Sequence, residues 1–282
     1  MAGLYIIWDF DPEIINIFGF PLKYYGLLFA CGLLLSMQIL KKIFKNENLK
    51  DSAHEALIFY GIFGIFIGAR LGHCLFYDFD YYSKNILEII LPIKKTLNGG
   101  YEFAGYAGLA SHGGTIGLII SLYLYSKKFH IKFLKILDVI AIVAPLGAMF
   151  IRLANLMNSE MIGNTTSMPW AFIFLKVDNL PRHPAQLYEA ISYFIIFLTV
   201  SIAYKYGSIK LGDGYHFGLT ITLIFIMRIL IEFVKIDQVE FEEGMILNMG
   251  QLLSIPFVII GIFFIVKNLR SKQLNSKIHI MD

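Results

Sequence analysis

The chain has 282 residues, of which 57% are hydrophobic and only 16% charged, with a net charge of +3 and a mean hydropathy of +0.65. A soluble domain of this size carries about 25% charged residues, so a water-soluble globule is excluded. The small net charge gives no basic surface for a nucleic acid, and no nucleic-acid partner is expected.

Seven apolar runs approach or exceed the roughly 20 residues that span a bilayer: about 22–41, 54–77, 103–126, 134–152, 186–205, 213–234 and 249–267. The expected fold class is an all-α membrane protein. It is a polytopic bundle of about seven transmembrane helices with outer-side interfacial segments, and residues 1–282 form one integral membrane domain. No basic stretch precedes the first apolar residues and no small-residue cleavage site follows Trp8, so no removable signal peptide is expected. The two cysteines, Cys31 and Cys74, lie inside apolar runs and suit packing roles, not a disulfide.

The first run opens with Tyr24 and Tyr25, at a level that suits interfacial anchors as well as site residues. The second carries Gly64, Gly68 and Gly72, whose spacing by four lets a neighbouring helix approach closely, together with Arg70 and His73. In the third, His112 lies about 14 Å from the start at 1.5 Å per residue, or less if Gly99–Gly108 is not helical. Gly113 and Gly114 follow it and clear space for a substrate or another backbone. The fourth ends at Arg152, with Asn155 and Asn158 just beyond and no carboxylate before Glu160. The fifth begins at His183-Pro184, a helix start, and carries Gln186, Tyr188 and Glu189. In the sixth, Arg228 and Glu232 stand at i,i+4 and fit either a structural pair or a site. The seventh begins with Gln251. The connections 78–102 and 153–185 suit ordered caps or short amphipathic segments in the interface.

Lysine and arginine asymmetry orients these runs. Fourteen basic residues fall after the first, third, fifth and seventh runs, against eight on the other side. The N-terminus is therefore expected outside and the C-terminus in the cytoplasm. Arg152, Arg228, His112, His183 and Glu189 then converge on the outer side. Intramembrane charges cost ~2.5–3.5 kcal/mol each, and such a convergence points to one polar site. No HExxH, GxSxG or zinc-spaced Cys/His set is present, so neither metal nor cofactor is expected.

Five segments, in order between residues 24 and 256, carry a resemblance. Ser111-His112-Gly113-Gly114-Thr115-Ile116-Gly117 resembles the histidine–glycine motif of the prolipoprotein diacylglyceryl transferases. The stretch from Arg152 through Asn155, Asn158 and Glu160 to Gly163 is similar to that family's R-x-x-N-x-x-N-G-E signature and following glycine. His183-Pro184-Ala185-Gln186-Leu187-Tyr188-Glu189 matches its H-P-x-Q-L-Y-E. Arg228 to Phe233 with Gln238, and Gly250 to Ser254, match its last motifs, and Tyr25-Gly26 fits the tyrosine of its first helix. Two positions depart: Ser159 stands where the family usually has glycine, and Asn164 where it often has arginine, with Arg182 the candidate substitute for that basic group.

The resemblance implies transfer of the diacylglyceryl group from phosphatidylglycerol to the lipobox cysteine of prolipoprotein signal peptides. It implies a thioether product, released glycerol phosphate, and a site in the bilayer of the bacterial cytoplasmic (inner) membrane, toward the outer leaflet. It implies His112, Arg152 and Arg228 as catalytic residues, with His112 activating the thiol and the arginines holding phosphate. Tyr25, Asn155, Asn158, Glu160, Gly163, His183, Gln186, Tyr188, Glu189 and Glu232 would bind or position substrate. The alternative is a lipid or small-anion transporter, which should continue its polar residues to the inner side and usually shows an internal repeat. Here the inner halves are apolar, as at Leu33, Leu34 and Leu35 and at Ile259, Ile260 and Ile262.

Overall fold

The computed structural model describes residues 5–17, 20–96, 100–103, 108–207, 209–236 and 245–281. In chain order the elements are β1 (Ile6–Trp8), β2 (Glu13–Ile17), β3 (Phe20–Lys23), α1 (Tyr24–Asn46), α2 (Asp51–Phe76), α3 (Phe79–Tyr82) and α4 (Leu87–Ile90). There follow β4 (Ile93–Lys95), β5 (Tyr101–Phe103), α5 (Ser111–Phe129), α6 (Phe133–Met157), β6 (Phe172–Phe174), β7 (Pro181–Arg182), α7 (Ala185–Tyr206), α8 (Tyr215–Glu232) and α9 (Met249–Met281). Among the described residues, six helices are long and apolar enough to cross a membrane: α1, α2, α6, α7, α8 and the Met249–Lys272 part of α9. With α5, a less apolar seventh helix of 19 residues, they make a polytopic, mostly helical membrane protein. Pro145 and Pro256 sit inside α6 and α9, a position membrane helices tolerate when neighbouring groups satisfy the freed carbonyls.

The third helix starts at Ser111, not at residue 103. Tyr101–Phe103 instead pair as β5 with β4, with Ile93 opposite Phe103. Gly108 then turns the chain with φ +84°, and a side chain there would collide with His73. Aromatic residues at 101–103 extend the apolar run in sequence, but the glycine turn separates them from the helix. His112 therefore stands in the first turn of α5, not one-third of the way through a membrane span.

The chain forms two compact units, Met1–Ile43 with Leu137–Asp282, and Phe44–Ile136. The second unit is organised by α2 against α5. A Cβ on Gly68 would lie 2.7 Å from Gly117 Cα, and one on Gly72 would lie 2.7 Å from Gly113 Cα. The two backbones touch, and in a lipid solvent such close packing supplies the attraction that the hydrophobic effect supplies in water. Gly113 thus makes room for a backbone. Beside this seam, Arg70 donates to the carbonyl oxygens of Ile89 (3.2 Å), Gly108 (3.3 Å) and Glu88, and lies 4.8 Å from the Tyr82 ring centroid. Glu88 is itself buried, accepting from Tyr81 Oη and from the Lys95 amide; the bond to Glu88 raises the Tyr81 phenol to about 12.

In the first unit, β1 runs parallel to β6, pairing Ile6 with Phe172 and Trp8 with Phe174, and β7 runs antiparallel on the other side of β6. Trp8 Nε1 donates to the Leu156 carbonyl at 3.1 Å, and Trp8, Ile162 and Leu187 cover a small core of Leu156, Phe172 and Phe174. The segment 153–185 is therefore an ordered cap built on a strand sheet. At the opposite end of α6, fully buried Asp138 accepts from the amides of Gly212 (2.8 Å), Gly214 (3.0 Å) and Phe217 (2.9 Å). Those groups lie at the start of α8, where backbone N–H groups lack intrahelical acceptors. Cys31 and Cys74 are both free, and Cys74 is buried.

Candidate active site

Glu189 is the hub of the candidate site. It lies in the second turn of α7 and is 1% exposed. Its Oε1 accepts from Lys235 Nζ at 2.8 Å. Its Oε2 lies 2.9 Å from Arg152 Nε, in an ion pair not aligned as a hydrogen bond. Lys235 also faces Glu232 Oε2 at 3.5 Å. Two cations and two carboxylates thus alternate, from the end of α6 to α7 to the end of α8. Burial of any one of them alone would be costly, and pairing offsets that cost.

Arg152 leads outward from this hub. Its Nη1 donates to Asn155 Oδ1 at 3.2 Å, and Asn155 Nδ2 donates to Glu160 Oε2 at 3.0 Å. Asn158 Nδ2 reaches the other oxygen, Glu160 Oε1, at 3.1 Å. Glu160 is held in a bend whose flanking residues, Ser159 (φ 55°) and Met161 (φ 57°), both adopt left-handed backbone. Non-glycine residues there are strained, and such strain concentrates at functional sites. The glycine expected at 159 has a physical reason in this bend, and Ser159 adopts the same geometry without it.

Tyr193, buried on α7, connects the two arginines. Arg152 hydrogen-bonds to its hydroxyl, and the charge of Arg228 acts on it as well. Arg228 makes no ion pair with Glu232: among the described residues Glu232 pairs with Lys235 instead. Both arginines are only half-buried, so this part of the cluster is accessible to an anion. Gln186 is fully buried one turn before Glu189, and among the described residues neither end of its amide has a hydrogen-bond partner.

The remaining residues form the frame. Gly163 donates its amide to the His183 carbonyl at 2.8 Å and pairs antiparallel with Lys235. A Cβ on Gly163 would come 2.5 Å from the Val234 carbonyl and 2.7 Å from His183 Cβ. His183 Nδ1 lies 3.1 Å from Tyr188 Oη, which also accepts from Trp170 Nε1 at 2.9 Å. Burial lowers the His183 pKa below its ordinary value, favouring the neutral ring. Arg182 donates to Asp178 and, at 3.3 Å, to the Gly163 carbonyl, which puts its guanidinium next to Asn164. That contact holds the Asp178 carboxyl below its usual range. Gln251 and Asn248 exchange backbone-to-side-chain bonds of 3.0 Å in each direction, a reciprocal cap for α9. A Cβ on Gly250 would lie 2.9 Å from Glu232 Cδ, so that glycine admits the carboxylate.

Twelve of the thirteen residues expected at the site lie in the first unit, and His112 lies exposed in the second, at the start of α5. Arg152, Asn155, Asn158, Glu160 and Glu189 form one chain of contacts that also reaches Glu232 through Lys235. Tyr25 lines a cavity shared with Asn158 and Glu160. Lys235 and Tyr193 are absent from the residues that the sequence analysis singles out. The signal for Lys235 was present, since Arg228, Glu232 and Lys235 follow the 4 and 3 spacing of one helical face. Among the described residues no group of three or more His, Cys, Asp or Glu side chains could hold a metal ion.

The family model for prolipoprotein diacylglyceryl transferase matches residues 12–267. The chain is 54% identical over 261 residues to a phosphatidylglycerol–prolipoprotein diacylglyceryl transferase of Bacteroides fragilis, covering 93% of this chain and 94% of the relative. Proteins of the same name from Chloroherpeton thalassium and Rickettsia typhi are 41% and 36% identical. They cover 96% of this chain in each case, and 97% and 100% of their own lengths.

Proposed function

The chain belongs to the prolipoprotein diacylglyceryl transferase family, and from that premise we propose that the Arg152–Arg228 cluster is the place where its lipid donor reacts. The enzyme transfers the diacylglyceryl group of phosphatidylglycerol to prolipoprotein, the first step of lipoprotein maturation. The acceptor is the thiol of a lipobox cysteine in the signal peptide. His112 takes the thiol proton, and the sulfur attacks the diacylglyceryl carbon that carries the phosphate ester. The S–C bond forms, the C–O bond breaks, and its electron pair leaves on glycerol phosphate. A free thiol titrates near ~8.5, so a base at hand raises the reactive fraction. Arg152 and Arg228 stabilise the phosphate charge by charge-assisted hydrogen bonds. Glu189 and Glu232 brace them, Gly163, His183 and Tyr188 hold the frame, and Tyr25, Asn155, Asn158, Glu160 and Gln186 position substrate.

The observation that carries this reading is the 2.9 Å contact between Arg152 and buried Glu189. It fixes one edge of the guanidinium while the side chain stays partly exposed, which is how a preorganised anion site is built. The whole chain acts as one membrane domain in the bacterial inner membrane. Its N-terminus lies outside, its C-terminus lies in the cytoplasm, and its site faces the outer leaflet, where exported precursors present their cysteine. The reaction proceeds without metal or cofactor.

The test is to incubate purified protein with phosphatidylglycerol and a lipobox peptide and to look for the diacylglyceryl adduct by mass spectrometry. His112→Gln should nearly abolish the adduct while the protein stays inserted and folded. Adduct formation at the wild-type rate by that variant removes the role of His112. Loss of activity on chelation, restored by a divalent ion, refutes the metal-free route. Movement of lipid between leaflets with no adduct would favour the transporter.

A further inference from the structure

The buried face of α7 carries Gln186, Glu189, Tyr193, Ile196 and Val200, spaced by three and four so that they stack on one side of the helix. The first two are polar, the last two aliphatic, and Tyr193 stands at the boundary. A phenylalanine would fill the same space among apolar neighbours. The hydroxyl, costly to bury unless it is bonded, therefore needs its own reason. It accepts from Arg152, and the charges of Glu189 and Arg228 act on it as well. Arg152 then has three contacts. Its Nε lies 2.9 Å from Glu189 Oε2, its Nη1 donates to Asn155 Oδ1 at 3.2 Å, and it donates also to the Tyr193 hydroxyl. Two contacts leave a planar group free to rock about the line that joins them, and a third removes that freedom. The ion pair with Glu189 is not aligned as a hydrogen bond, so Asn155 and Tyr193 supply the directed bonds, one from α6 itself and one from α7.

We propose that Tyr193 is a positioning residue for the transfer, holding the Arg152 guanidinium in the plane from which it meets the phosphate. The inference rests on the transferase reading. Being neutral, the phenol orients the guanidinium without cancelling its charge, which a further carboxylate would do. Its effect passes through Arg152 and belongs to the transition state. As the C–O bond breaks, negative charge grows on the departing phosphate, and a donor already aimed at that charge lowers the barrier. Ground-state binding of the lipid changes less, because a rocking guanidinium still offers its charge to the phosphodiester.

The test measures transfer kinetics of the full-length protein in detergent, per folded molecule. Tyr193→Phe, which removes the hydroxyl and keeps the ring, should lower kcat about 10- to 100-fold, with KM for phosphatidylglycerol within about threefold of wild type. The second readout is a double-mutant cycle with Arg152→Lys, which keeps the charge and loses the planar fork. In that background Tyr193→Phe should cost less than about threefold, because no guanidinium plane is left to fix. A residue that only packs would cost the same factor in both backgrounds. If Tyr193→Phe does not fold, Tyr193→Met, whose flexible side chain fills the ring's place, enters the same cycle. Wild-type kcat in the variant, a loss confined to KM, or equal losses in the two backgrounds overturns the inference alone. Absence of adduct from the wild-type protein removes the transferase reading and this inference with it.

Discussion

Arg70 and Arg152 both interrupt apolar helices, yet their donors are satisfied in different ways. Arg70, 6% exposed on α2, gives its donors to three backbone carbonyls and lays its face on the Tyr82 ring. Nothing of it is left for a ligand, and what it does is fasten the segment that carries α3 and α4. Arg152, on α6, meets a carboxylate on one edge and an amide on another, and keeps part of its surface open. An arginine in a membrane helix is thus a marker of cost, and its partners decide whether that cost secures structure or chemistry. Carbonyl partners have no net charge to balance and hold a loop. A carboxylate fixed by a second cation holds the guanidinium in place and leaves part of it exposed, the arrangement on which the proposed anion-binding role rests.

Substitution should separate the two arginines. Arg152→Ala is expected to lower transfer about 10²–10³-fold, the loss typical of removing one preorganised donor. Its thermal unfolding should move little, because Glu189 keeps Lys235. An active Arg152→Ala protein would break the comparison. Arg70→Ala should do the reverse. Stranding buried carbonyls costs about 2–3 kcal/mol of stability, read as an earlier unfolding transition in detergent, while transfer per folded molecule stays within threefold.

Smaller effects sharpen the picture around the site. Ser159→Gly is expected to stabilise the protein by about 1 kcal/mol, because glycine relieves the left-handed strain at φ 55°; calorimetric unfolding would check it. The smallest effect concerns Asp178, whose folded pKa is lowered from 3.8 by Arg182. Its contribution is present above that unfolded value and is lost as pH falls through the folded one. Wild type should therefore lose thermal stability below pH ~4 in excess of Asp178→Asn. Parallel pH profiles for the two proteins would exclude a role for this pair.

The sequence made the helix ends and their polar residues legible, since Arg152, His183 and Glu189 stand out against apolar runs. The glycine spacing from Gly64 to Gly72 showed that some helix must come close, but not that α5 would. Pairings between distant segments were not legible. Lys235 reaches Glu189 across 46 positions, and no local pattern encodes such a contact. The start of α5 was misread because Tyr101 and Phe103 are apolar in either a helix or a hairpin, and only the turn at Gly108 decides between them. Arg70 and Arg152 looked alike in sequence because backbone carbonyls, the partners of Arg70, are offered by every residue.

The pairing of β1 with β6 has a consequence for biosynthesis. Ile6 to Trp8 find their partners only at Phe172 to Phe174, and Trp8 its acceptor at Leu156. At ~5–20 residues per second, the ribosome needs on the order of 10–30 s to advance from one strand to the other. Through that interval the first strand has been made and has nowhere to dock. The cap beside the Arg152–Glu189 cluster is thus closed late, after the four long helices α1, α2, α5 and α6 have been made, and a chain stalled before Phe174 would carry Arg152 without its completed roof.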